Sequence, residues 1–465
     1  MFRFLMILTF LSVSHISFAQ TKEASRQTEI ALREQVKILT ERMEAMERKL
    51  MAHDATNNIA SLAKPAESSA SIAPVKSDSS NSVSASKPNS NLSNSMSIKL
   101  PNTNTSLELG GYVKLDAIYN SESVGGSGGT NSGDEVLLPG TIPVNPVAGE
   151  TDQITFHARQ SRFWLKSLTP TALGDLSTYL EMDFFAFQAP GDERVSNSYS
   201  PSMRHAYGQL GHFLAGQTWS TFMEPQALPE LNDFGGPVGR IFVRQPQIRW
   251  TQPIELGGYS MAWNLAIESP ETTVSTPAGT RETPDDDRMP DVISRLSLTQ
   301  PWGTLSLAAM LRNIRMDAST VNSHYGGAVN IAGKVNTFDQ DDFRFMLAYG
   351  NTLGRYSSSN LFNDAVMDST GNIHLLNSYS GYAAYHHWWG REWRSTLAYG
   401  LAYADNPSYV ANNVSKWAQS AQVNLLWSPV NRTTFGIEYT YASRAIESGA
   451  EGDLQRFQFS AMFQF

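Results

Sequence analysis

The sequence predicts an all-β transmembrane barrel of about sixteen antiparallel strands, preceded by an α-helical coiled coil and a disordered linker. Three observations predict it. The last strand, Leu454 to Phe465, puts Phe457, Phe459, Ala461, Phe463 and Phe465 on one face. Arg456, Gln458, Ser460 and Gln464 share the other face with Met462. Side chains alternate along a strand, so this strand is apolar on one side and mostly polar on the other, as a wall between lipid and water requires. Second, comparable alternating segments run from Leu107 to the C-terminus, joined by connections that are short and long in turn. Third, beyond residue 19 no apolar run reaches the roughly 18 residues of a spanning helix. Charged residues are 17% of the chain, against roughly 25% in soluble domains, a deficit expected where a large area faces hydrocarbon.

Residues 1–19 read as a secretory signal peptide. Arg3 supplies the positive start, Phe4 to Val13 the apolar core and Ser17-Phe18-Ala19 the small-residue exit. Residues 20–52 read as a periplasmic coiled-coil helix. Leu32, Leu39 and Met46 recur every seventh residue, as do Val36, Met43 and Leu50, giving an a/d seam with Arg42 and Glu47 at flanking positions. A lone helix this short is marginal in water, so the seam implies self-association; an amphipathic helix packed on its own barrel is the alternative. Residues 53–106 are rich in Ser, Asn, Ala and Pro and nearly free of aromatics, which predicts a low-complexity, disordered linker. A flexible chain of that length spans on the order of 40 Å.

Residues 107–465 form the predicted barrel. Its strands centre near Val113, Phe163, Leu180, Tyr207, Ala215, Ile248, Trp263, Leu296, Leu307, Val329, Phe345, Tyr382, Leu397, Val423, Ile437 and Phe459. Short connections are expected at Thr169–Ala172, Gly211-His212, Pro253–Glu255, Gln300–Gly303, Phe338–Gln340, Trp389–Arg391 and Ser428–Asn431. Long ones are expected near Ser121–Thr151, Ala189–Ser200, Ser220–Arg240, Ser269–Met289, Asn351–Leu376 and Ala404–Val414. With the first strand running outward from the periplasm, parity puts every long loop outside and every short turn inside. Trp302, Trp388, Trp389 and Trp427 near strand ends fit an interfacial girdle.

Alternation also assigns the lumen. Tyr112, Lys114 and Asp116 lie opposite Val113, Leu115 and Ala117, and Tyr179, Glu181 and Asp183 lie opposite Leu180 and Met182. Arg249, Arg295, Arg312 and Arg344 likewise face inward, because a charge on the lipid face costs roughly 2–4 kcal/mol near the midplane. The guanidinium fork binds carboxylate or phosphate bidentately, which favours anionic organic solutes. Paired with wall carboxylates, the same arginines would merely line water. The candidate solute-binding residues are Arg249, Arg295, Arg244, Arg162, Arg204, Lys114, Tyr112 and Arg240. Four of the arginines resist simple alternation. Arg159 and Arg162 are three apart, so one needs a bulge, an interface or a strand end. Arg204 and Arg244 share a face with apolar neighbours, which an oligomer interface would accommodate.

The segment Ser220–Arg240 is apolar and aromatic for a loop in water. Folded back into the lumen near 220–240, it would bury those groups and narrow the pore; an outer flap is the alternative. Glu230 and Asp233 would then face basic wall residues and set up a transverse field at the constriction.

Five motifs carry a family resemblance: Gly110-Gly111-Tyr112-Val113-Lys114-Leu115-Asp116, Ala158-Arg159-Gln160-Ser161-Arg162-Phe163, Arg204-His205-Ala206-Tyr207-Gly208-Gln209-Leu210, Gly216-Gln217-Thr218-Trp219-Ser220-Thr221-Phe222 and Arg244-Gln245-Pro246-Gln247-Ile248-Arg249. Together they resemble the DcaP-like outer-membrane porin family over nearly all of the barrel. The terminal Phe465 resembles the sorting signal of bacterial outer-membrane proteins. The resemblance implies a homotrimer of sixteen-stranded barrels in outer-membrane lipid, passing small anionic organic solutes by diffusion, notably dicarboxylates and aromatic carboxylates. The helical stem would lie in the periplasm.

Two other function classes have weaker support. Some barrels are lipase-like enzymes using Ser, His and an acid, but His157, His205, His212, His374, His386 and His387 sit in no nucleophile-centred motif, so no catalytic residue is assigned. A structural barrel that only tethers the envelope is the other. Adjacent His386 and His387 point to opposite faces and suit an interfacial cluster better than a metal site, and Asp285-Asp286-Asp287 suits a solvated loop. No metal or other cofactor is expected. Cysteine is absent, which removes disulfides and thiolate chemistry, and a net charge of −9 argues against nucleic acid as a partner.

Overall fold

Sixteen antiparallel strands, each hydrogen-bonded to its neighbours in the chain, close on themselves as a barrel. This computed structural model describes Lys37 and residues 96–123, 132–145, 151–185, 199–319 and 323–465. The expected signal peptide, the coil (Lys37 apart) and the linker up to residue 95 lie outside the described residues.

The first stave is Ser106–Glu122, and the second is built in two pieces, Thr151–His157 and Arg162–Thr171. Staves three to eight are Gly174–Asp183, Ser202–Leu210, Phe213–Trp219, Arg244–Leu256, Tyr259–Glu268 and Asp291–Gln300. Staves nine to twelve are Gly303–Arg315, Ser323–Asn336, Asp342–Gly350 and Ser378–Trp388. The last four are Trp393–Ala404, Ser415–Trp427, Thr433–Ile446 and Glu451–Gln464. The first and last staves pair from Tyr112↔Gln464 to Asn120↔Arg456, so the wall has no seam. Closure satisfies the backbone donors and acceptors that lipid cannot. All sixteen strand centres expected from the alternation fall within these staves.

The two faces separate as the pattern requires. On the last stave Phe457, Phe459 and Phe463 are exposed, whereas Arg456 is fully buried and Gln458 and Ser460 nearly so. Leu109, Val113 and Leu115 are exposed on the first stave, with Lys114 and Asp116 buried opposite them. Connections alternate in length through most of the barrel, but the last outer connection, residues 447–450, is as tight as a periplasmic turn.

Four local features depart from the expected pattern. Pro253–Glu255 is not a turn: Pro253 pairs with Ala262 inside the sixth stave. The hairpin closes at Gly257 and Gly258, whose φ angles of 60° and 82° suit glycine and match a two-residue hairpin. The second stave breaks at residues 158–161, so neither Arg159 nor Arg162 is forced outward. Arg159 pairs with Glu135 of the first outer loop, and Arg162 lies 3.4 Å from Glu181. In the fourth stave the register slips, Glu181 opposing His205 and Met182 opposing Met203. Arg204 is the extra residue of that bulge and turns inward to Glu181 and Asp183, so it requires no oligomer interface. Finally, Met96–Lys99, inside the expected linker, is a strand paired with the first stave from Met96↔Leu109 to Lys99↔Ser106.

Outside the wall, Arg281–Glu282, Val274–Ser275, Ala365–Met367 and Ile373–Leu375 form a four-stranded sheet joining two outer loops. Beneath it the buried Arg312 binds Asp291 and Asp364 and donates to the carbonyls of Thr352 and Glu271.

Candidate functional site

The fifth stave ends at Trp219 and the chain then turns into the barrel. Phe222, Met223, Ala227 and Ile241 are completely buried, packed with Ile293, Ala308, Ala332, Met346 and Tyr356. This apolar content, too high for a loop in water, is what drives the segment onto the inner wall. The inward fold is therefore the observed one, and the outer flap is not.

The loop bonds every stave from the eighth to the sixteenth, and then the first. Arg295 of stave eight donates to the Met223 carbonyl, and Thr304 of stave nine reaches the Gln226 side chain at 3.1 Å. Asn330, Arg344 and Tyr382 of staves ten to twelve donate to the carbonyls of Phe222 (2.7 Å), Leu228 (2.5 Å) and Ala227 (2.8 Å). Arg394 of stave thirteen grips the Glu230 carboxylate at 2.6 and 2.8 Å, and Asn424 of stave fourteen donates to its carbonyl. On stave fifteen, Glu438 accepts the backbone N–H groups of Asn232 (2.6 Å) and Asp233 (3.1 Å). Arg456 of stave sixteen pairs with Asp233 at 2.5 Å, and Lys114 of the first stave donates to the Asn232 carbonyl at 2.8 Å. Returning, the chain runs against the wall so closely that a Cβ on Gly239 would strike the carbonyls of Gly381 and Leu401.

Among the described residues, none of the hydrogen bonds made by 222–239 goes to staves three to seven. Past Thr221, which bonds Glu268 and Gln247 of staves seven and six, the loop's polar ties to the wall are thus with the staves from the eighth round to the first. An aromatic run joins the loop to the remaining side: Phe185 stacks on the loop's Phe234 at 5.0 Å, Phe234 meets Phe242 at 5.8 Å, and Phe242 meets Trp219 at 4.6 Å. Arginines lie over it: Arg204 over Trp219 and Phe234, Arg244 over Trp219 at 5.1 Å, Arg240 over Phe242 at 3.7 Å.

The candidate residues divide by what their charges already bind. Arg204 is buried against Glu181 and Asp183. Arg295 holds the loop and lies 3.9 Å from Glu224. Lys114 pairs with Asp116 at 3.1 Å and holds Asn232. Arg162 sits between Glu181 and Asp183, over the ring of Tyr112 at 5.3 Å. Arg240, Arg244 and Arg249 have no carboxylate within ion-pair distance among the described residues. Burial lowers the Arg240 guanidinium to about 10, against the pull of Asp233 and Tyr382, so it remains charged at neutral pH. Arg240 is buried, while Arg244 and Arg249 are half-buried; Arg249 shares its face of the sixth stave with buried Gln245 and Gln247. Arg249 has Arg295, Glu268, Tyr207 and Glu224 as its electrostatic surroundings.

The loop carboxylates do not stand free across a transverse field. Asp233 is buried on Arg456, and Glu230 is clamped by Arg394 with His386 beside it. Burial would raise Glu230, but the hydrogen bonds from Arg394 and His386 hold it down at about 2. Both residues act as anchors, because each meets a wall guanidinium close enough to neutralise it. Sequence reasoning did not find Arg394 or Glu438, and it read Tyr382 only as a strand centre and His386 as part of an interfacial cluster, where the structure sets both against the loop. Alternation placed Arg456 inside but could not pair it with Asp233.

A sixteen-stranded barrel, apolar outside and polar within, crossed by an inward loop, defines the porin class of outer-membrane channel. The family model described as DcaP outer membrane protein matches residues 75–465, and the chain belongs to that family. The fold is similar to the crystal structure of the outer membrane channel DcaP of Acinetobacter baumannii, at 20% identity and a TM-score of 0.65 over 79% of this chain and 99% of that one. Salmonella typhi OmpF, in complex with daunomycin, aligns with a TM-score of 0.50 at 10% identity over 80% of this chain and 100% of that one. None of the curated proteins matches the chain.

Proposed function

We propose that this porin passes small anionic organic solutes, dicarboxylates and aromatic carboxylates among them, by passive diffusion. The observation that carries the reading is the charge state of the inner wall. Most inward-facing arginines are spent on wall or loop acceptors, yet the half-buried Arg244 and Arg249 have no carboxylate within ion-pair distance among the described residues. An ionised guanidinium without a protein counter-ion attracts a solute carboxylate and offers it two parallel hydrogen bonds. The aromatic rings beside Arg244 add a flat apolar surface for a planar acid.

The working unit is a homotrimer in outer-membrane lipid, with residues 20–52 as a periplasmic coiled coil after removal of the signal peptide. The a/d seam supports self-association, since parallel helices would bury it, and the family resemblance implies three. The test is planar-bilayer conductance in a KCl gradient. Correlated current steps in threes, with a reversal potential on the anion side, are expected. A silent or cation-selective protein would overturn the substrate class, and purified protein that hydrolyses lipid would favour the enzyme reading.

A further inference from the structure

We propose that His386 is a positioning residue for the constriction loop, and that its second proton ties the loop to the wall. The inference rests on the porin reading above and concerns how its constriction is held. His386 lies on stave twelve, 4% exposed, between two carboxylates from different elements. Its Nδ1 is 3.3 Å from Oδ2 of Asp342 on stave eleven, and its Nε2 is 3.3 Å from Oε2 of Glu230 on the loop. Nε2 has no hydrogen-bond partner among the described residues, so it meets Glu230 as a charge contact at 3.3 Å. Trp388 packs its ring edge-on at 5.6 Å, leaving the imidazole little room to turn away.

A neutral imidazole has one N–H and one lone pair, so it can serve only one of these oxygens and must turn its lone pair on the other. The imidazolium serves both. Every other charged group around it keeps the two carboxylates ionised. Arg394 of stave thirteen binds Glu230 at 2.6 Å. Arg344 of stave eleven binds Asp342 at 2.5 Å, and Lys334 of stave ten lies 3.4 Å from the same oxygen that His386 meets. Deprotonation of His386 therefore breaks one side of the bridge between stave eleven and the loop. The Arg394 clamp remains, so the loop loosens and does not detach. The bridge is complete in mild acid and is lost as the pH rises through the imidazole's titration.

The full-length protein in planar bilayers tests this, through open-channel current noise and the voltage at which channels close, at about pH 5.5 and about pH 8.5. Wild-type noise is expected to rise several-fold at the higher pH, and the closing voltage to fall. His386→Gln should be noisy at both values. His386→Arg, with a permanent charge able to bridge two carboxylates, should be quiet at both. Should either variant fail to insert, the wild-type titration alone decides. Equal noise at both pH values, or a pH dependence that survives in His386→Gln, would overturn the proposal. The reversal potential recorded in the same membranes reads the substrate class separately. Lost anion preference with pH-dependent noise would sink the porin's substrate class and leave the latch standing.

Discussion

Arg394 and Glu230 are joined by two parallel hydrogen bonds, Nη2 to Oε1 at 2.6 Å and Nε to Oε2 at 2.8 Å, across 164 residues of sequence. The pair fixes the descending leg of the constriction loop to the thirteenth stave. A bidentate fork sets orientation as well as distance, which a single ammonium cannot do. Arg394→Ala should leave the barrel inserted but raise open-channel noise several-fold and lower the closing voltage. Arg394→Lys should restore part of the closing voltage and less of the noise. Wild-type traces from Arg394→Ala would show that the loop is held without this pair.

The same carboxylate sets an acid limit. The Glu230 carboxyl is held down at about 2, from an ordinary value of 4.5. A depressed carboxylate contributes stability above its ordinary value and loses it as the pH falls through the depressed one. The loop's tie should thus weaken between 4.5 and about 2, seen as conductance steps that become irregular in that window. Glu230→Gln should be irregular already at neutral pH and change little on acidification. A wild-type channel unaltered down to the lower bound would contradict the assignment.

Gly239 tests how closely the loop lies on the wall. Its φ is +86°, and a Cβ there would meet the carbonyls of Gly381 and Leu401. Gly371, at φ +84°, has open space around it and isolates the backbone effect. Strain at such a φ costs about 1–3 kcal/mol in either position. Gly239→Ala should add displacement of the loop, giving a larger single-channel conductance and a lower temperature of barrel unfolding on a gel. Gly371→Ala should keep the wild-type conductance. Equal conductance in all three proteins would place the constriction elsewhere.

The stem predicts a different separation. Removing residues 20–52 should leave a barrel that inserts, because its backbone hydrogen bonds close internally. Assembly should weaken, read as monomers by native electrophoresis at concentrations where the full chain is oligomeric. Failure to insert at all would give the stem a role in folding.

The wall was legible in the sequence because its information is local. Alternation over a few residues placed Phe457 outside and Arg456 inside, and the sixteen strand centres follow from it. The inward loop was legible from its apolar content. What holds the loop was not, because the partners are distant: Asp233 and Arg456 are 223 residues apart, and Asn232 and Glu438 are 206 apart. Period-two reasoning says that a side chain faces the lumen and nothing about which one it meets there. The bulge at Arg204 was hidden for a related reason. A one-residue slip reads in sequence as a charge on the wrong face, and only the pairing register shows that the face has changed. Pro253 misled because proline usually marks a turn, whereas here the following Gly257-Gly258 makes it.

Single-channel block by a dicarboxylate, compared between wild type, Arg249→Ala and Arg249→Lys, tests the central claim most directly. Arg249, half-buried on the face of the sixth stave that carries buried Gln245 and Gln247, has no ion-pair partner among the described residues. A charge-assisted hydrogen bond is worth roughly 1.5–3 kcal/mol, and screening in a water-filled pore leaves about a tenfold effect on affinity. Arg249→Ala should weaken dicarboxylate block by that factor and leave block by a neutral sugar unchanged. Arg249→Lys should recover part of the loss, restoring the charge but not the fork. Equal losses for the charged and the neutral solute would mean that Arg249 shapes the pore and does not select what passes through it.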